Sequence, residues 1–194
     1  MARKLIYIHG FNSSERSHKA VQLGEHLRTW QGQYIVPRLS HDPEQAIAHL
    51  SALVDEDTAL IGSSLGGFYA TYLSQRYHLP SVVINPAVRP FELLDEYRGV
   101  QYNPYQNYSY ELNHTHMQAL QGLYLQQLTS PELLFLLQQE GDEVLPYEQA
   151  VAYYQGCKQQ VEAGGNHSFI GFERYFTHIM QFLNISLTTK AVNE

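Results

Sequence analysis

The sequence predicts an α/β fold: a mostly parallel sheet of about six strands with helices on both faces. Three observations lead there. Compact apolar runs rich in β-forming residues, such as KLIYIH over Lys4–His9 and SVVI over Ser81–Ile84, read as buried strands. Stretches of helical spacing lie between them, and such alternation calls for right-handed crossovers between parallel strands. Glycine-rich turns follow the first and third strands, HGFNSS and GSSLGG, placing function at the strands' C-terminal ends.

In order, the first strand leads to a helix over Ser17–Trp30, where Ala20, Val21, Leu23, Leu27 and Trp30 fall near helical spacing. A short second strand, Tyr34–Val36, stops at Pro37. Asp42 and Pro43 then supply an N-cap and an N1 proline for a helix running through Ile47, Leu50 and Leu53. Thr58–Ile61 is the third strand, followed by a helix beginning LGGFYATYLSQRY and the fourth strand, Ser81–Ile84. Between Arg89 and Ser130 the rhythm breaks. No strand is evident there; the reading is a short helix at Phe91–Tyr97, a tyrosine-rich loop and a helix at His116–Gln127. The region from about 87 to 130 therefore reads as a small helical lid insertion. Glu132–Leu137 is the fifth strand, Tyr147–Tyr154 a helix, Lys158–Glu162 the sixth strand, and Phe169–Leu183 a closing amphipathic helix before a frayed tail at about 185–194.

With 194 residues and 44% apolar content, residues 1–194 suit a single domain able to bury roughly 70% of its unfolded surface. The start, MARKLIYIHG, lacks the apolar stretch of a signal peptide, and no run approaches the length of a membrane span, so a cytoplasmic protein is expected. Net charge is −7 with no basic run, which speaks against nucleic-acid or anionic-membrane partners. The single cysteine, Cys157, excludes an internal disulfide framework and a CxxC site, and nothing around it supports a nucleophile. Several of the 15 tyrosines crowd between Tyr97 and Tyr124; rings with hydroxyls that want partners suit a cleft wall, a subunit contact or a lid.

The chemistry centres on Gly62-Ser63-Ser64-Leu65-Gly66, which fits G-x-S-x-G. Glycines two residues either side of Ser64 permit a sharp strand-to-helix turn that presents its hydroxyl beside the positive end of the next helix. A serine hydroxyl needs a base, and the base needs a carboxylate to orient it. His167, in the loop GGNHSF after the last strand, is the candidate base. His9, His114, His116 and His178 sit where structural or surface roles are the better reading. Asp142 is the only aspartate beyond Asp95 and follows the fifth strand; Glu140 and Glu143 flank it as alternatives, and a simple turn aspartate is the bland reading. The order serine 64, acid 142, base 167, each after a separate strand, favours the constellation. An oxyanion hole would take the backbone N–H of Leu65 and, from the first loop, that of Phe11. For Arg89 an ion pair is a better reading than contact with an anionic substrate group.

HGFNSS, GSSLGG, NPAVRPFELL, LLQQEGDEVL, QAVAYY and GGNHSFIGFE together resemble the α/β-hydrolase superfamily, and within it the small YqiA-type bacterial esterases, over roughly Leu5–Leu183. The resemblance implies Ser64, Asp142 and His167 as the catalytic triad, a sheet trimmed before Lys4, and hydrolysis of a small-molecule carboxyl ester or thioester without a metal or organic cofactor. Two other functions fit the same residues: an acyltransferase using the same acyl-serine, and a catalytically silent binding module built on the tyrosine-rich insertion. A nucleotide-binding reading is weaker, since G-x-G-x-x-G and GK[ST] are absent.

Overall fold

The computed structural model describes residues 2–187. Six strands form one parallel sheet: β1 (Lys4–Ile8), β2 (Gln33–Ile35), β3 (Thr58–Ser63), β4 (Ser81–Ile84), β7 (Leu134–Gln139) and β8 (Lys158–Glu162), in the order β2-β1-β3-β4-β7-β8. β5 (Gly99–Asn103) and β6 (Tyr108–Leu112) form a separate antiparallel hairpin. The helices are α1 (His18–His26), α2 (Pro43–Leu53), α3 (Leu65–Tyr77), α4 (Pro90–Leu93), α5 (His114–Leu123), α6 (Tyr147–Tyr153) and α7 (Phe176–Phe182).

Side chains of a strand alternate between faces, so a sheet covered on both faces needs apolar residues at successive positions. β1 shows the consequence directly. Leu5 and Tyr7 pack with Ala20, Leu23, Phe176 and Ile179, under α1 and α7. Ile6 and Ile8 pack with Ala46, Leu50, Phe68 and Leu73, under α2 and α3. All four strand residues are fully buried, which is why the run carries no period-2 signal in the sequence. The N-cap of α2 is as read: Asp42 Oδ1 accepts from the N–H groups of Glu44 (2.9 Å) and Gln45 (3.3 Å), with Pro43 at N1.

Three expectations are corrected. The tyrosine-rich loop is the β5–β6 hairpin, pairing Gln101 with Tyr110 and Tyr102 with Ser109. Its turn is built by Asn103, whose Oδ1 accepts from Tyr105 N and Gln106 N at 3.0 Å, and by Asn107 at φ 55°. The helix expected at His116–Gln127 begins earlier and ends earlier, because Asn113 caps it: Asn113 Oδ1 accepts from His116 N (3.2 Å) while His116 Nδ1 accepts from Asn113 N (3.3 Å). The closing helix is a 3₁₀ turn, Phe172–Tyr175, running into α7, since Phe169 and Gly171 at φ 63° and 74° keep the chain out of helical geometry before it.

Ile185, the first residue of the expected tail, is packed against the core, 5% exposed, with its N–H donating to Met180 O; residues 188–194 of that tail lie outside the described residues. Among the described residues no helix is long and apolar enough to cross a membrane.

Candidate active site

The C-terminal ends of β3, β4 and β7 meet the loop after β8, and each contributes to one constellation. β3 ends at Ser63, and Ser64 stands between it and α3 at φ 56°, ψ −122°, a conformation disfavoured for any residue with a Cβ. The turn is held from both sides: Ser64 N donates to Ile84 O (3.1 Å), and Ser64 O accepts from Gly67 N (2.9 Å) and Ala87 N (3.1 Å). The two glycines nearest in function are dictated by contact. A Cβ on Gly66 would fall 2.0 Å from Ile8 O, and one on Gly10 would fall 3.1 Å from Ser64 Cβ. The loop after β1 thus lies directly against the serine.

His167 Nε2 is 3.0 Å from Ser64 Oγ, and His167 Nδ1 is 2.8 Å from Asp142 Oδ2. A carboxylate only accepts, so Nδ1 carries the proton and Nε2 presents its lone pair to the serine hydroxyl. The Asp142 side chain is fully buried, and its Oδ1 also accepts from Val144 N and Leu145 N, both at 2.9 Å. Glu143 plays a different part: its Oε2 accepts from the His167 backbone N–H at 2.9 Å, a bond that holds the exposed carboxyl below the usual carboxylate range. Ser64, Asp142 and His167 are therefore brought together, and Glu140 is not part of the chain.

Neither Phe11 N–H nor Leu65 N–H has a hydrogen-bond partner among the described residues, and both residues flank the serine, Leu65 as the first residue of α3. The β5–β6 hairpin fastens the first loop: Tyr110 Oη donates to Asn12 Oδ1 (2.7 Å) and Asn103 Nδ2 to Ser13 O (3.1 Å). His9 begins that loop. Its Nδ1 donates to Gly10 O (3.1 Å) and burial pushes its pKa down, so the ring is neutral there.

Two residues overlooked in the sequence hold the histidine loop. Asn85, fully buried at φ 40°, donates through Nδ2 to Asn166 O (2.9 Å) and His167 O (3.1 Å) and accepts at Oδ1 from Gln139 N (2.9 Å). Gln139 Oε1 accepts from Asn166 N (3.2 Å) and Ile170 N (2.9 Å), while its Nε2 donates to Glu162 and Ile170 O. The only sequence trace of this frame is the Asn-Pro turn signal at 85. Asn85→Ala would strand two half-buried carbonyls and one buried N–H; a loss of about 1–3 kcal/mol in urea-unfolding free energy is expected, with kcat falling more than KM rises.

The other candidates lie elsewhere. Arg89 pairs with Glu92 at 2.6 Å and stands over the rings of Phe91 and Tyr124, as an ion pair rather than a wall of the serine cleft. Burial beside Glu132 pushes the Cys157 thiol up to about 11. Among the described residues no three histidine, cysteine, aspartate or glutamate side chains converge as metal ligands.

A sharp strand–serine–helix turn after the third strand of a six-stranded parallel sheet, met by a carboxylate and an imidazole from later loops, defines an α/β-hydrolase-fold protein. More narrowly, the chain belongs to the Uncharacterised protein family (UPF0227), whose model matches residues 4–184. Solved structures of similar fold include a protein from Agrobacterium vitis S4, with TM-score 0.72 and 16% identity over 93% of this chain and 87% of that chain. Alpha/beta hydrolase domain-containing protein 10 from mouse gives 0.69 and 16%, over 95% and 90%. Est1E from Butyrivibrio proteoclasticus with ferulic acid bound gives 0.66 and 15%, over 94% and 88%. At such identities the likeness speaks for the fold alone.

Proposed function

We propose that the protein is a serine hydrolase acting on carboxyl esters or acyl thioesters. The observation that carries this reading is the unbroken chain from Asp142 through His167 to Ser64 Oγ, with two unpartnered N–H groups beside it. Ser64 Oγ attacks the acyl carbonyl while its proton passes to His167 Nε2; Nδ1–H stays with Asp142, which stabilises the imidazolium. The N–H groups of Phe11 and Leu65 donate to the oxyanion, each such donor being worth about 2.7–4 kcal/mol. His167 then protonates the departing alcohol or thiol, and a water it activates releases the acid from the acyl-serine.

Behind Phe11 and Leu65, under the hairpin, a cavity of about 40 Å³ is walled by Leu39, Leu94, Leu112 and Leu120 together with polar side chains such as Asn12, His41 and Tyr110. It has room for only a few heavy atoms, so short acyl chains should fit best. The test is hydrolysis of p-nitrophenyl esters from acetate to palmitate, with fluorophosphonate labelling of the protein in parallel. Activity should fall as the chain lengthens, and Ser64 should take the label. A long-chain optimum would place the acyl group outside this cavity, and an unlabelled Ser64 would end the hydrolase reading.

A further inference from the structure

On the other flank of Ser64 the cleft wall is built from the head of α1 and is basic. Arg16, Ser17, His18 and Lys19 line it, together with Tyr7 and His9 from β1 and the loop after it. No carboxylate lines this wall in a chain of net charge −7; Glu15 and Asp142, whose charges act on His9 and Lys19, stand outside it. Ser17 is the N-cap of the nine-residue α1 but makes no capping bond. The backbone N–H groups of His18, Lys19 and Ala20 accordingly have no partner among the described residues.

A helix head alone would say little; what lies around it says more. Tyr7, 0% exposed, carries its hydroxyl beside those of Ser17 and Ser63; burial raises its pKa more than these two neighbours lower it, and it makes no hydrogen bond of good geometry to either. Ser17 Oγ and His9 Nε2 are likewise buried without a partner, as is the carboxylate oxygen Glu15 Oε2, whose residue does not line the cleft. Buried polar atoms are almost always paired, so the two bare hydroxyls, of Tyr7 and Ser17, mark a place where an accepting ligand completes the bonding; His9 Nε2, on a ring whose Nδ1 carries the proton, is an acceptor and takes no part in holding an oxyanion. Arg16 makes no ion pair among the described residues. Lys19 Nζ donates to Ser168 O at 2.9 Å, leaving two of its three N–H donors free. Burial holds the Lys19 amine down at about 8, a group whose charged form gains from an anion beside it.

We propose that this wall is an oxyanion-binding subsite for the leaving-group half of the substrate, so that the enzyme selects esters or thioesters whose leaving group carries a carboxylate or a phosphate. The inference rests on the hydrolase reading for the side to which it is assigned. His167 has to reach the leaving atom, and Lys19 is bonded to the residue that follows His167, which puts the basic wall on the leaving-group flank. The small cavity behind Phe11 and Leu65 then serves the acyl side. The α1 amides, the Tyr7 and Ser17 hydroxyls and the two cations are all donors, and oxyanions accept from several donors at once.

The experiment compares three acetates of similar shape: para-carboxyphenyl acetate, its neutral methyl ester, and para-acetoxyphenyl phosphate. The readout is the ratio of kcat/KM for each anionic ester to the neutral one, in wild type, Arg16→Gln and Lys19→Gln, so that intrinsic reactivity cancels between proteins. The ratio should fall about tenfold in each variant, the usual worth of a hydrogen bond to a charged group, and should fall in wild type as salt is raised. Which anionic ester has the higher ratio tells carboxylate from phosphate. A ratio that neither substitution moves overturns the proposal. Inorganic phosphate titrated into Ser64→Ala, followed by the amide resonances of residues 17–20, reads the subsite without turnover. Saturable shifts that weaken in Arg16→Gln support it even if no ester is cleaved, in which case the hydrolase reading alone fails. No shift, with or without ester turnover, sinks the subsite.

Discussion

Ser64→Ala is expected to lower kcat for ester hydrolysis by roughly 10⁵- to 10⁶-fold, to the level left by binding and the oxyanion donors. The loss should come without unfolding. The Ser64 side chain makes no capping bond to α3, and the turn is fastened by backbone groups that alanine retains. The same position yields a second readout. At φ 56° a Cβ is strained whether the residue is serine or alanine, so Ser64→Gly should be as inactive as Ser64→Ala yet more stable by about 1–2 kcal/mol in urea unfolding. Activity in purified Ser64→Ala well above that residual level would rule out the nucleophile. A glycine variant no more stable than wild type would show that the elbow holds no strain, and the geometry would then owe nothing to function. Together the two substitutions separate what Ser64 does in the reaction from what its backbone conformation does to the fold.

Where sequence and structure agree, the cause is burial. Every residue of β3 and β7 is buried, so their apolar runs were legible without an alternating pattern, and no boundary of the six sheet strands moved by more than two residues. The carboxylate and imidazole that meet Ser64 were legible because chain order limits them: one aspartate stands after the fifth strand and one histidine in the glycine-rich loop after the sixth. The hairpin was hidden for the opposite reason. In β5 the apolar residues point outward, Val100 being 82% and Tyr102 51% exposed, while polar Asn103 is buried to bond Ser13 O. A strand whose pattern is inverted by a polar tether reads as a loop. Asn85 and Gln139 escaped notice because their work is done across 27 to 82 positions of chain, through bonds no local pattern records. The basic wall beside Ser64 was invisible in the same way: Arg16, Lys19 and Tyr7 come together only when α1 is laid against β1.

The second large effect is expected from Asp142→Asn, a substitution that distinguishes an acid acting through His167 from a residue that merely shapes a turn. Asp142 Oδ1 accepts two backbone N–H groups, from Val144 and Leu145, and lies 3.0 Å from His167 Nδ1, whereas Oδ2 makes the nearer contact with that nitrogen, 2.8 Å, and has no other partner among the described residues. An asparagine would keep its carbonyl oxygen on the two N–H donors, since its amide nitrogen cannot accept them, and would therefore turn its NH₂ toward the imidazole. Nδ1 would have to become the acceptor, moving the ring proton to Nε2, where it opposes the Ser64 hydroxyl proton. The base would be held in place but in the wrong tautomer. A fall in kcat of about 10⁴-fold follows, with KM little changed and unfolding free energy within about 1 kcal/mol, because the turn bonds survive. Nitrogen-15 NMR of the His167 ring should show the proton on Nε2 in the variant and on Nδ1 in wild type. Asparagine serves such turns as well as aspartate does. Unchanged turnover in Asp142→Asn would therefore reduce Asp142 to a turn residue and leave His167 without its orienting charge.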